Sequence, residues 1–177
     1  MKHLVLTAVV SIAFASCDSN PTGPLGRVGV SMLSYARPAG QFVGAESGSY
    51  SLANAIFETH VRNSGNAVDV MVRSMDNRFC MLSLGAPVGR VLAVGAYPNA
   101  ARYPFQGPSQ AGLDFGCGSG CNRLQGSFTI TTLAFRSSGE LERLAATFEQ
   151  SCLRWDGVQE VPMEQLTGEV RVVNTSN

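Results

Sequence analysis

Short runs in which apolar and polar residues alternate, broken every few positions by Gly, Pro, Asn or Ser, constrain this chain more than any other feature. Alternation with a period of two puts one side of an extended strand against a core and the other toward solvent. Phe57, Thr59 and Val61 share one side, with Glu58, His60 and Arg62 on the other. Asn63-Ser-Gly-Asn66 reads as a turn, and Val68, Val70 and Val72 then alternate with Asp69, Met71 and Arg73, so the two runs predict a hairpin. Met75 to Arg78 turns again, and Phe79 to Leu84 carries Cys80, Leu82 and Leu84 on one side. Val28 to Met32 reads as a first strand, Val91 to Tyr97 as an apolar strand, Ala100 to Pro108 as an irregular edge segment, and Gly112 to Phe115 as a short strand. Phe128 to Phe135 is dense in β-branched and aromatic residues and is the clearest strand. Val161 to Gln165 reads as loop, and Leu166 to Val173 as a closing strand. The pattern predicts an all-β fold: a single antiparallel β-sandwich, jelly-roll or Ig-like, with one or two disulfides.

Residues 140–152 support two readings. Leu141, Leu144, Ala145, Phe148 and Cys152 make a helical stripe, whereas Leu144, Ala146, Phe148, Gln150 and Cys152 make a strand with an irregularity after Leu141. The turn at Arg136 to Gly139 would make this segment the hairpin partner of the strand before it, which favours the strand.

The N-terminus has the form of an export signal. Lys2 and His3 precede an uncharged, mostly apolar run from Leu4 to Phe14, too short to span a bilayer comfortably. Phe14-Ala-Ser-Cys17 has the form of a lipobox, which predicts cleavage before a lipidated Cys17. Ala13-Phe-Ala15 allows ordinary cleavage before Ser16, which would give a secreted protein. The domain plan is a signal peptide over 1–16, lipidated Cys17 with a Pro- and Gly-rich tether over 17–26, and a β-sandwich domain over 27–177.

Cysteine parity favours the lipid. Of five cysteines, removal of Cys17 leaves Cys80, Cys117, Cys121 and Cys152, an even set suited to an oxidising compartment. Three pairings are open. The hairpin around Arg136 to Gly139 places Cys121 near Cys152, which leaves Cys80 for Cys117. Each bond would stabilise the fold by about 2–4 kcal/mol. Zinc on Cys117-x3-Cys121 is a competing reading, disfavoured because His60 is the one histidine beyond the leader.

The formal net charge is zero and no basic block occurs, so nucleic acid is not an expected partner. No cofactor motif is present, since the glycine-rich run 116–120 lacks the lysine of a phosphate loop. The aspartates form no closely spaced calcium loop.

Four ordered segments carry a resemblance: Tyr97 to Gln106, Gly118 to Thr129, Thr147 to Cys152 (Thr-Phe-Glu-Gln-Ser-Cys) and Leu166 to Arg171. Over roughly residues 40–172 the chain resembles a group of exported bacterial β domains of uncharacterised function. The resemblance implies a compact β domain with a recurrent disulfide, Cys121–Cys152 here, and it implies no activity. Ser151 stands where the group's pattern usually has His, and Cys80 where it tends to have an aromatic residue.

Candidate contact residues are few. Trp155, on what reads as a loop just beyond Cys152, and Arg102 with Tyr103 are the positions suited to stacking or docking, although the aromatics Tyr103 and Phe105 read more readily as buried rings plugging the end of the sandwich. Glu149 and Gln150 could face a ligand, or bond to backbone and to Arg171. No catalytic motif is evident. The expected function is a membrane-anchored envelope lipoprotein with a non-catalytic binding or structural domain that contacts the membrane through Cys17 and an envelope protein or glycan. The alternative is a hydrolase using Glu58 and His60.

Overall fold

The structure, a computed structural model, describes residues 31–36, 47–118 and 120–175. The expected signal peptide, Cys17, the tether and most of the Val28 to Met32 run lie outside the described residues.

Among the described residues ten strands make one continuous sheet: β1 (Met32–Ala36), β2 (Gly48–Ser51), β3 (Ala55–Arg62), β4 (Ala67–Ser74), β5 (Phe79–Gly85), β6 (Gly95–Arg102), β7 (Gly112–Cys117), β8 (Leu124–Phe135), β9 (Leu141–Trp155) and β10 (Glu160–Val173). Their order is β2-β1-β10-β9-β8-β6-β7-β5-β4-β3, antiparallel except where β6 meets β7. The all-β class and the disulfides are as expected. The two separate sheets of a sandwich are replaced by one ladder that curls into a nearly closed barrel. The terminal strands β2 and β3 are consecutive in the chain, so their short connection brings the two ends of the ladder together. Asn174 supports this seam: its amide donates to the Leu141 carbonyl of β9 and to Thr59 Oγ1 of β3, both at 3.2 Å.

The inward side follows the alternation read from the sequence. Val68, Val70 and Val72, with Cys80, Leu82 and Leu84, are fully buried. Segment 140–152 is strand: Leu144, Ala146, Phe148 and Gln150 point inward, and the irregularity falls between Leu141 and Arg143. Aromatic rings fill the interior, Phe115 of β7 lying 5.0 Å from both Tyr35 of β1 and Phe148 of β9. The disulfides join Cys80 to Cys117, directly opposite on β5 and β7, and Cys121 to Cys152. With each sulfur committed, Cys117 and Cys121 do not offer the thiolates that zinc requires.

Three local expectations are corrected. Val91 and Val94 are exposed and lie before β6, which starts at Gly95. Ala100 to Arg102 of the expected edge segment are instead the end of β6, a central strand between β8 and β7, while the chain from Tyr103 to Pro108 is irregular as expected; a separate bulge at Pro98-Asn99 tolerates the missing amide. Residues 161–165 belong to β10, which passes them with a register shift between Pro162 and Gln165. Trp155 accordingly ends β9 opposite Glu160 and is not in a loop.

Candidate functional site

Two outward surfaces carry the polar residues of this barrel. The first lies across β1, β10, β9 and β8. Register places Ser34, Glu169, Thr147 and Thr129 in one row and Ala36, Thr167, Glu149 and Ser127 in the next. These rows line an open depression of about 690 Å³, with backbone from Tyr35, Phe128, Phe148 and Gly168 between them. Four strands at their usual spacing make it about 14 Å wide. Gly168 lies in its floor and faces the interior, where a Cβ would sit 2.4 Å from the Phe148 ring and 2.8 Å from the Ser34 carbonyl.

The depression offers hydroxyls and carboxylates. Ser127 Oγ donates to Glu149 Oε1 at 2.9 Å, and Gln165 Nε2 donates to Glu149 Oε2 at 2.7 Å. Ser34 Oγ lies 3.5 Å from Glu169 Oε1. Among the described residues neither carboxylate forms an ion pair. The expected bond from Glu149 to Arg171 is not made, because Arg171 stands opposite Ala145, four residues along β10 from Thr167, the partner of Glu149. Gln150 faces no ligand. Its side chain is 3% exposed, and its amide accepts from the Phe115 N–H at 3.0 Å and donates to the Phe115 carbonyl at 2.7 Å. Gly126, opposite Gln150, makes room: a Cβ there would meet the Glu149 carbonyl at 2.3 Å and Leu113 at 2.8 Å.

The second surface lies across β3, β4, β5 and β7, where His60, Asp69, Ser83 and Asp114 stand side by side. Asp69 is 1% exposed and accepts from Ser83 Oγ at 2.7 Å and from Arg62. The hydrogen bond and charge of Asp69 raise the pKa of Arg62. Burial pushes the Asp114 carboxyl up, and Arg102, 3.3 Å away, opposes that shift. A hydrolytic relay needs the imidazole between carboxylate and hydroxyl. Here the carboxylate of Asp69 occupies the middle strand, and Ser83 is two strands from His60. Glu58 and His60 are exposed on the outward side of β3.

The expected contact residues do not come together. Arg102 pairs with Asp114, donates to the Asn122 carbonyl and lies 5.5 Å from the Phe105 ring centroid. Tyr103 is 8% exposed, its ring lying over Gly85 and Gly112. Trp155 is 64% exposed near the tip of the β9–β10 hairpin, where Asp156 accepts from the Val158 and Gln159 amides and its pKa is lowered by them. No single segment of the sequence marks the depression as a site. Its trace is there in the alternate positions Ser127-x-Thr129-x-Thr131, Thr147-x-Glu149 and Thr167-x-Glu169. Among the described residues no group of three or more potential metal ligands gathers. No protein family, no curated protein and no solved structure matches the chain.

Proposed function

We propose that this chain is an exported cell-envelope protein, anchored to a membrane through a lipidated Cys17, whose β domain binds an envelope protein segment or glycan in the depression across β1, β10, β9 and β8. The observation that carries the reading is the use of cysteine. All four cysteines after Cys17 are consumed in two disulfides, which suits an oxidising compartment and leaves Cys17 as the one sulfur for an anchor. The placement of the site rests on chemistry. The interior is filled by rings, whereas the outer depression presents hydroxyls and two carboxylates outside any ion pair among the described residues. Its size is that of a small-ligand or short-segment site. The separation of His60 from Ser83, with Asp69 between them, supports binding over hydrolysis. Membership of the exported bacterial β-domain group belongs to the same proposal.

The intact mass of the protein from its native membrane fraction, before and after reduction, tests the placement. The expected mass starts at Cys17, carries acyl chains and rises by four hydrogens on reduction. A lipid-free mass starting at Ser16 would move the protein to the medium and overturn the anchor.

A further inference from the structure

We propose that two copies of this chain pair edge to edge through β3, forming a two-fold dimer centred on Thr59. Among the described residues strand β3 ends the sheet and is laddered by β4 alone. Among the described residues no backbone hydrogen bond satisfies the other edge of 55–61. Natural edge strands are protected by shortness, Pro, Lys, bulges or inward charges. β3 has eight residues, pairs with β4 without a register shift, contains neither Pro nor Lys, and turns no charge inward, only the buried Ala55 and, beyond it, Phe57, Thr59 and Val61. Those three are half-buried, whereas Val70 and Val72, beside them on β4, are 0% exposed, so the edge leaves apolar surface that a neighbouring strand would cover.

The occupant is set by the sequence of the edge. In an antiparallel pair, directly opposite residues share a face, so a symmetric partner must match inward to inward. Centring on Thr59 puts Glu58 opposite His60 twice, Phe57 opposite Val61 twice, Ile56 opposite Arg62 twice, and Thr59 opposite itself. Each is a favourable cross-strand pair: acid with imidazole, aromatic with β-branched, aliphatic with an arginine stem. Centring on Glu58 would face two carboxylates, and centring on His60 would shorten the match and face two imidazoles. Asn174 holds Thr59 through its inward hydroxyl, which fixes the strand without using its backbone edge. The contact is isologous and closes at two copies.

Sedimentation velocity of the full chain and of two charge variants tests this. Wild type should dimerise at about 100 μM or below. Glu58→Lys sets lysine against His60, and His60→Glu sets carboxylate against Glu58, so each alone should weaken the dimer at least about tenfold. Mixed together they should dimerise again, because Lys meets Glu and His meets Glu across the two-fold. Ile56→Lys, at an exposed position facing Arg62 of the second copy, should also weaken it, and guards against misfolding of either charge variant. A wild-type monomer at that concentration, a dimer indifferent to all three substitutions, or a mixture that stays monomeric while each variant keeps its native circular dichroism melt would overturn the proposal.

Discussion

The two outward surfaces of this barrel are built on the same alternation and meet different ends. Across β3, β4, β5 and β7 the outward Asp69, Ser83 and Asp114 are drawn under cover, Asp69 to near-complete burial, and are tied to Arg62 and Arg102. Across β1, β10, β9 and β8 the outward Ser34, Thr147, Glu149 and Glu169 keep access to solvent and hold few partners. Polarity on the outer face of a strand therefore does not predict accessibility. What decides is what packs against it: Arg62 and Ser83 close on Asp69, and Tyr103 lies over Gly85 and Gly112 in the adjacent row, while the surface across β1, β10, β9 and β8 remains an open depression.

Breaking the covered surface should cost most. Asp69→Ala strips Ser83 of its acceptor and Arg62 of its pair, and should lower the unfolding free energy by about 3 kcal/mol, read from denaturant titration. Gln150→Leu removes the link from β9 to β7 and orphans the Phe115 N–H and carbonyl, for a loss of about 2–3 kcal/mol by the same method. The open surface should behave oppositely. Thr147→Ala with Thr167→Ala should change stability by less than about 0.5 kcal/mol while abolishing ligand binding in the depression.

The smallest effect concerns the hairpin tip. The amides of Gln159 and Val158 hold the Asp156 carboxyl below the usual range, so its contribution is full above the ordinary aspartate pKa and is lost as pH falls through the lowered value. Asp156→Ala should speed amide exchange at Val158 and Gln159 near neutral pH, and the difference from wild type should vanish in acid.

Much of the strand content was legible because burial enforces a period of two. Phe57 to Val61, Val68 to Val72 and Phe128 to Phe135 lie where alternation placed them. Val91 to Tyr97 misled because an apolar run states no direction: Leu92 enters the core while Val91 and Val94 stay outside, and Pro98-Asn99 breaks the register of β6. The closure into one sheet depends on long-range contacts such as Asn174 with Thr59, separated by 115 positions, which no local window contains. Of the site, Glu149 stands out in Phe148-Glu149-Gln150, but its partners Ser127 and Gln165 come from neighbouring strands whose register the sequence does not print. Burial of Tyr103 is one of the two readings its segment allows, but the glycines that receive its ring, Gly85 and Gly112, lie on other strands that no local window contains.

The most direct test of the contrast between the two surfaces is an NMR titration of the uniformly labelled protein with solubilised envelope material from its host. Amide shifts should cluster at Ser127, Thr129, Thr147, Glu149, Thr167 and Glu169. Shifts that cluster instead around Glu58 and His60 or around Arg102 and Trp155, or a spectrum that does not change, would contradict the contrast.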